Sequence, residues 1–320
     1  SAGDVPLGTQ GNLFGITGGE GTGKSNYVAA IVAGCICPAG ADIDTLGIQI
    51  TANGRHKAVL LYDTEQSEVQ LFKNVSNLLA RAKQPDKPDE LKAFCLTGMS
   101  RKERLNAIVQ SMDKFYYQYG GIQLVVIDGI ADLVKSANDE AESVAVIDEL
   151  YRLAGIYNTC ILCVLHFVPN GLKLRGHLGS ELQRKAATIL SIEKDEEPAQ
   201  SVVKALKVRD GSPLDVPLML FAWDKEAGMH VYKGEKPREE KEKRKERELV
   251  NVARDIFGRQ TRITYIDLCE QLQQVLDIKE RTAKSYIRFM RERNIITKDT
   301  ANQSCFVIGS YNLQRNASCP

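Results

Sequence analysis

One glycine-rich segment of the sequence has the spacing of a phosphate-binding loop. Residues 18–25 read G-G-E-G-T-G-K-S and fit the pattern G-x-x-x-x-G-K-S. Glycines in this pattern let backbone N–H groups surround phosphates, and the N-terminus of a following helix adds a favourable dipole. The pattern assigns Lys24 to the β- and γ-phosphates of a nucleoside triphosphate and the Ser25 hydroxyl to Mg²⁺. The expected nucleotide-binding residues are Gly18, Gly21, Thr22, Gly23, Lys24, Ser25 and Asn26.

Three further polar residues follow or end predicted strands, where ligands bind in parallel sheets. Asp128 ends IQLVVID, as in a Walker B strand, and is predicted to hold Mg²⁺; the alternative is a turn residue before Gly129. Glu65 follows VLLYDT and is predicted to polarise the attacking water, with Asp63 in support, unless Glu65 only caps a helix. His166 ends CILCVLH and can hydrogen-bond a γ-phosphate, although a lone histidine is as often structural.

The elements around these residues meet the requirement of the phosphate-loop pattern. The apolar run NLFGITG predicts a strand before the loop, and a helix is predicted from Ser25 to about Ala33. A glycine-rich turn with a fortuitous Lys-Ser pair is the alternative, and the flanking strand and helix argue against it. Over residues 12–234, apolar runs alternate with helical patterns, which predicts an α/β fold with a mainly parallel sheet. From Thr188 onward, successive short strands predict an antiparallel extension of that sheet.

Composition and charge bound the class of protein. The 320 residues are 43% apolar and 26% charged, as in a soluble chain with one large and one small domain. Cys160 and Cys163 form a C-x-x-C in an apolar run, which favours buried structural cysteines over a redox pair. No stretch reads as a signal peptide or a membrane span, so we expect a cytoplasmic location and no membrane contact.

The sequence predicts two domains that differ in charge. We expect an ATPase domain over residues 1–234, a charged linker over 235–248 and a smaller domain over 249–320. From residue 235 onward, 18 Lys and Arg stand against 13 Asp and Glu, a net charge of +5, whereas the rest of the chain carries −4. This asymmetry favours a nucleic-acid contact in the C-terminal part.

Taken together, these motifs resemble those of the RecA-like ATPases, especially hexameric helicases of the DnaB and plasmid RepA types. The resemblance covers roughly residues 5–233 and rests on the phosphate loop, YDTEQS, VVIDGIADL and the polar end of CILCVLH. It implies a RecA-like core that hydrolyses ATP with Mg²⁺ at sites between the subunits of a homo-oligomer, of which a hexamer is one form. His166 stands where Gln is common in the family, and the chain begins close to the loop, so whether residues precede Ser1 stays open.

Two more segments take part in the resemblance. PNGLKLRGHLGSELQRKAATILSIEK resembles the loop that faces the central channel, which implies contacts of Lys173, Arg175 and His177 with single-stranded DNA. A solvated basic loop is the alternative. LKVRDGSP resembles a hairpin in which Arg209, assisted by Lys207, reaches the γ-phosphate held by a neighbouring subunit. Two solvated cations on an edge strand are the alternative.

The C-terminal part, residues 249–310, predicts three helices followed by a β-hairpin, an order that resembles a winged helix-turn-helix domain. On the third helix, basic residues share one face and Ala283, Ile287 and Met290 share another. Such a basic face suits a recognition helix on duplex DNA, whereas a solvated or protein-docking face is the alternative. The expected DNA contacts are Arg281, Lys284, Ser285, Arg288 and Arg291.

The leading hypothesis is a DNA-dependent ATPase or helicase-like motor that acts in plasmid or transposon replication or mobilisation. An ATP-gated DNA-binding regulator with little turnover is the alternative. A metabolic P-loop kinase is disfavoured, because the sequence shows no obvious lid for an acceptor substrate and adds a basic tail.

Overall fold

The chain forms two compact units, Ser1–Lys236 and Pro237–Pro320, in a computed structural model. The structure describes residues 1–166, 176–195, 199–237, 241–258, 260–300 and 302–309, with the backbone alone for 241–245. No helix within these ranges has the length and hydrophobicity needed to cross a bilayer.

A nine-stranded sheet is the centre of the first unit. Its strands are β1 (Leu13–Gly18), β2 (Ala58–Asp63), β3 (Leu91–Cys95), β4 (Ile122–Asp128), β5 (Cys160–His166), β6 (Thr188–Lys194), β7 (Gln200–Val208), β8 (Leu218–Asp224) and β9 (Met229–Lys236). Across the sheet they lie in the order β3-β2-β4-β5-β1-β6-β7-β8-β9. Strands β1 to β6 are parallel, whereas β7, β8 and β9 are antiparallel to their neighbours. Below, the carboxyl side of the sheet is the side on which β1 to β6 end, and the amino side is the opposite one.

Helices cover both faces of this sheet. They are α1 (Lys24–Ile36), α2 (Glu68–Arg81), α3 (Arg101–Tyr119), α4 (Glu140–Ile156) and α5 (Gly176–Lys185), with a short 3-10 helix at Ile130–Leu133. Apolar residues of α1 and α2 join one hydrophobic cluster, and those of α3, α4 and α5 join a second. Because both faces are covered, every residue of β1 and β2 is buried, as the apolar runs predicted. Cys160 and Cys163 are buried in β5, also as expected.

The structure corrects the predicted sheet in two places. The strand that begins at Thr188 was expected to open the antiparallel extension, but β6 pairs in parallel with β1. Helix α5 lies between β5 and β6 in the chain and returns it to the amino side, so β6 runs in the same direction as β5. Strand β3 was not expected; it lies at one edge of the sheet, and only Leu91 of its five residues is fully buried.

The second unit combines three helices with a small sheet. Its elements are α6 (Lys241–Phe257), β10 (Ile263–Thr264), α7 (Tyr265–Leu276), α8 (Glu280–Glu292), β11 (Ile296–Lys298) and β12 (Cys305–Ile308). The strands pair antiparallel in the order β10-β12-β11, and the helices bury apolar residues in a core of their own. Parts of the segment 235–248, expected to be a linker, belong to β9 and α6.

Gly18 at the end of β1 occupies a position that has no room for a side chain. A Cβ there would collide with the backbone oxygen of Ile192 in β6 and lie 2.8 Å from the Thr22 hydroxyl oxygen. Because neighbouring strand backbone cannot easily move, we expect Gly18→Ala to lower the free energy of unfolding by about 1–3 kcal/mol. Urea denaturation followed by circular dichroism measures this change.

Gly19→Ala is the matched control for this substitution. A Cβ on Gly19 would meet Thr22 Cγ2 at 3.6 Å, an ordinary contact distance. It should change the free energy of unfolding by less than about 0.5 kcal/mol. Equal effects of the two substitutions would contradict the steric argument.

Candidate nucleotide-binding site

The glycine-rich loop joins β1 to α1 on the carboxyl side of the sheet. Gly21 and Gly23 have φ angles of +67° and +93°, which L side chains rarely adopt. A Cβ on Gly23 would also lie 2.8 Å from the ring of Phe221 in β8. The loop therefore requires glycine at both positions, and it leads directly into the N-terminus of α1, as a phosphate site requires.

Lys24, the first residue of α1, folds back over this loop. Its Nζ donates hydrogen bonds to the carbonyl oxygens of Gly18 and Gly19 at 3.0 and 2.7 Å. Burial lowers the pKa of Lys24, and the negative charges of Asp128 and Glu65 oppose that shift. The ammonium group thus contacts the loop and is close enough to the carboxylates to feel their charge. In this position it can contact a phosphate bound by the loop.

Two aspartates are neighbours at the carboxyl ends of β2 and β4, where Asp63 and Asp128 are paired in register. Burial is the main cause that raises the pKa of each carboxyl; repulsion from nearby carboxylates adds to it, and the pKa of Asp128 reaches about 7. Lys24 and His166 offset part of this effect on Asp128. A cation at this position would relieve the repulsion. The Ser25 hydroxyl and the Asp128 carboxylate are hard oxygen ligands of the kind Mg²⁺ prefers, so the residues fit the metal that the motif implies.

Glu65 reaches from the turn after β2 past β4 to the end of β5. Its Oε2 lies 3.3 Å from Nε2 of His166, and the two side chains are 35% and 33% exposed. Gly129, directly after β4, leaves room for Glu65, because a Cβ there would lie 2.7 Å from Glu65 Cγ. The side-chain cap of α2 is Ser67, whose hydroxyl accepts a hydrogen bond from the Gln70 N–H at 3.4 Å. Helix capping therefore does not account for Glu65.

Side-chain contacts with the backbone hold the turns after β2 and β4 together. Asp63 Oδ1 accepts a hydrogen bond from the N–H of Glu65 at 3.0 Å, in line with its expected supporting role. Thr64 Oγ1 donates to the carbonyl oxygens of Asp128 and Gly129 at 3.0 and 2.8 Å. Neither Thr64 nor Gly129 was predicted from the sequence to belong to the site. Both contacts join residues more than 60 positions apart, so local sequence patterns do not predict them. The only available signal was that both residues lie next to strand ends.

The two cations of LKVRDGSP lie on the amino side of the sheet, away from this site. Arg209 Nη1 donates to Oδ1 of Asn12, which precedes β1, at 3.3 Å. The glycine-rich loop follows the other end of β1, and strand rise separates the two ends by about 16–20 Å. Lys207 Nζ donates to the carbonyl of Gln183 at 2.6 Å and Arg209 Nη2 to that of Lys185 at 3.2 Å, both in the last turn of α5. Neither cation therefore joins the nucleotide site of its own chain.

Of the residues expected to contact single-stranded DNA, one can be placed. His177 is exposed in the first turn of α5. Lys173 and Arg175 lie outside the described residues.

Helix α8 separates an apolar from a basic face. The predicted apolar residues Ala283, Ile287 and Met290 are buried in the core of the second unit. Two cations on the other face form ion pairs within the helix, Lys284 with Glu280 at 2.7 Å and Arg288 with Glu292 at 2.8 Å. The residues expected to contact duplex DNA are all exposed, and they are Arg281, Lys284, Ser285, Arg288 and Arg291.

A cleft of about 920 Å³, lined by both polar and apolar residues, lies on the same side of the sheet as the carboxylates. It is lined by the start of α3 and by residues that follow β4. Arg101, Lys102 and Lys135 contribute exposed cations to it. Arg104 is held instead by the carbonyl of Leu96, at 3.0 Å from its Nε. Asp132 and Glu142 also line the cleft, so it carries charges of both signs, with cations in excess.

Comparison with known protein families gives one match. The model of a family described as an AAA domain, AAA_25, matches residues 5–170, slightly more than half of the 320 residues. The matched range includes the glycine-rich loop, Glu65, Asp128 and His166 and ends before Arg209. A search of the curated proteins found no match.

The raised pKa of Asp128 predicts a pH-dependent cost to stability. At a pH below the ordinary value of 3.8, the carboxyl is protonated in both the folded and the unfolded chain. Between 3.8 and about 7, the unfolded chain loses this proton first, so stability falls as pH rises. Asp128→Asn removes that dependence. Its gain in free energy of unfolding over the wild type should be larger near pH 8 than near pH 5 by about 1–3 kcal/mol.

Urea denaturation at the two pH values, without nucleotide or Mg²⁺, measures this difference. Asp86→Asn is the matched control, because Asp86 is an exposed aspartate after α2 and outside the carboxylate cluster. The control should show no comparable growth of stability with pH. A gain for Asp128→Asn that is the same at both pH values would contradict the raised pKa of Asp128.

Proposed function

Because the chain belongs to the AAA_25 family of AAA domains, P-loop ATPases of the DnaB/RecA-like type, we propose that it is a DNA-dependent ATPase that hydrolyses ATP between subunits. One observation carries this proposal. Lys24, Asp128 and Glu65 converge on one side of the sheet, whereas Arg209 lies on the other side. The biological role that fits is a helicase-like motor in plasmid or transposon replication or mobilisation.

Each residue at the site has a distinct part in the proposed reaction. Lys24 would neutralise charge on the β- and γ-phosphates, and Mg²⁺ held by Ser25 and Asp128 would supply further charge stabilisation. Glu65 is partly exposed, so a water molecule can reach its carboxylate, orient there and transfer a proton to it. His166 contacts Glu65 and precedes the loop after β5, so it can link the state of the site to that loop.

Arg209 is proposed to act on the nucleotide of a neighbouring copy. It lies too far from its own loop, and an arginine that approaches from another subunit stabilises the charge of the transferred phosphoryl group. Exposed apolar residues support a contact between copies: Val69 and Phe72, shortly after Glu65, are 67% and 73% exposed, and Leu214, five residues after Arg209, is 71% exposed. Two different patches favour head-to-tail association, which closes into a ring when the rotation permits. A hexamer is the proposed form.

DNA contact is proposed on the carboxyl side of the first unit. The cations Arg101, Lys102 and Lys135 of the cleft lie there. Lys173 and Arg175, which follow β5 in the sequence, are proposed to contact the same DNA. Exposed cations favour contacts with the phosphates of DNA, and such contacts do not depend on base sequence.

The second unit is proposed to be a winged helix-turn-helix domain that binds duplex DNA. Its order of helix, strand, two helices and two strands supports this assignment, and α8 would be the recognition helix. Lys284 and Arg288 already form ion pairs with glutamates of α8. On binding DNA, these two cations would exchange the glutamates for phosphates.

Steady-state phosphate release with and without single-stranded DNA tests the motor. We expect DNA to raise turnover of the wild type. Glu65→Gln should keep ATP binding and lose turnover by about 10²–10⁴-fold, because the attacking water loses its base. Unchanged turnover on adding DNA, together with full function of Glu65→Gln, would favour the alternative of an ATP-gated DNA-binding regulator.

Arg209→Ala tests the contribution from a neighbouring copy. It should keep ATP binding, abolish hydrolysis and inhibit wild-type subunits when the two are mixed. Lys204→Ala is the matched control, since Lys204 lies in β7, which ends directly before Arg209, and pairs with Glu193 at 2.6 Å. A monomer that hydrolyses ATP normally without Arg209 would overturn the inter-subunit site.

Substitution of three α8 cations tests the duplex contact. In the full chain, the triple variant Arg281→Gln, Lys284→Gln and Arg288→Gln should bind duplex DNA more weakly. The slope of log affinity against log salt should become shallower by about 2–3, because each lost phosphate contact removes about 0.9 from it. Fluorescence anisotropy over a salt series measures both quantities.

The control for this experiment changes three exposed lysines of the first unit, Lys73, Lys83 and Lys225, to Gln. It should retain the wild-type slope for duplex DNA. If both triple variants lose affinity equally, α8 has no specific part in binding.

A further inference from the structure

Trp223 is the single tryptophan of the chain, and it is 54% exposed. It is the next-to-last residue of β8, on the carboxyl side of the sheet. Phe221, two residues earlier on the same face of β8, approaches Gly23 of the loop so closely that a Cβ would collide with its ring. A large apolar side chain is thus left accessible beside the site of phosphate binding.

The Trp223 ring is held in place by its neighbours. His230 of β9 is its cross-strand partner and packs edge-on against it, with ring centroids 5.5 Å apart and an interplanar angle of 78°. His230 also contacts Phe221 at 5.6 Å, and Phe221 contacts Tyr27 of α1 at 5.7 Å. Burial is the main cause that lowers the pKa of His230, so this imidazole is neutral near pH 7. The aromatic contacts therefore connect α1 to an ordered, accessible indole.

Sheet order determines where the nucleoside part of a bound nucleotide must lie. The strands that carry Glu65, Asp128 and His166 lie on one side of β1, and β6 to β9 lie on the other. The γ-phosphate belongs on the side of these groups, because they include the proposed base and metal ligand. A triphosphate that crosses the N-terminus of α1 therefore directs its nucleoside toward β8 and β9.

We propose that Trp223 is the surface on which the base of the bound nucleoside triphosphate stacks. The inference rests on the proposed function, in that a nucleoside triphosphate fills the glycine-rich loop. It gives a role to a residue outside the family match, which ends at residue 170. That role is contact with the base, whereas the residues inside the match contact the phosphates. Every nucleobase presents a π-face, so stacking contributes affinity with little dependence on which base is bound.

Intrinsic fluorescence tests this inference directly, because all tryptophan emission of the chain comes from Trp223. ATP should quench that emission. Inorganic tripolyphosphate, which has the phosphates but no base, should compete with ATP for the loop and leave the emission unchanged. Trp223→Ala should weaken ATP binding about 5- to 100-fold without changing the affinity for tripolyphosphate, and Trp223→Phe should restore most of the loss. Isothermal titration calorimetry in the presence of Mg²⁺ measures these affinities.

Two variants serve as controls. Tyr117→Ala removes an aromatic side chain that is 76% exposed on α3, and it should leave both affinities unchanged. Lys24→Ala should abolish binding of both ligands.

The outcomes separate this inference from the proposed function. If Lys24→Ala abolishes ATP binding but Trp223→Ala leaves it unchanged, the stacking surface is overturned and the ATPase stands. If Trp223→Ala weakens binding of single-stranded DNA and not of ATP, Trp223 serves DNA, and the inference is overturned as well. If the wild type binds neither ATP nor tripolyphosphate, the proposed function fails and the stacking surface fails with it.

Discussion

The nucleotide site depends on carboxylates held close together at the carboxyl side of one parallel sheet, against their mutual repulsion. Asp63 and Asp128 are paired in register, and burial together with neighbouring negative charge raises the pKa of Asp128 to about 7. Hydrogen bonds from Thr64 and to Asp63 hold the turns in which this charge is concentrated. Such a cluster is costly by itself and becomes favourable once a cation lies among the carboxylates. Binding of a nucleotide together with its cation would therefore offset part of the free energy that the folded chain loses by holding these carboxylates together.

The cations singled out from the sequence lie on two opposite sides of the sheet and make different contacts there. Lys24 serves the carboxyl side, whereas Lys207 and Arg209 hold carbonyls at the end of α5 on the amino side. Within one chain, the last two therefore act as cations at a helix C-terminus, where they interact favourably with the helix dipole. The proposed assembly would give Arg209 a second role, because the amino side of one copy would meet the carboxyl side of the next.

Patterns with a local cause were predicted well from the sequence. The glycine-rich loop, the buried strands and the apolar face of α8 follow from spacing within a few residues. The expected direction of β6 was wrong, because strand direction depends on the crossover through α5 and on pairing with β1. Strand β3 was missed since an edge strand with one buried residue has a weak apolar signal. Thr64 and Gly129 were missed because their roles depend on contacts between the ends of two different strands.

The sequence by itself determined the type of site, because the spacing of glycine, lysine and serine before a helix is a local requirement of phosphate binding. It also placed Asp128, Glu65 and His166 at strand ends. Only the tertiary structure decided that these ends are neighbours, since the order of strands in a sheet arises from packing between distant segments. The same packing placed Arg209 on the far side of the sheet and brought Phe221 against Gly23, which in turn set Trp223 beside the loop.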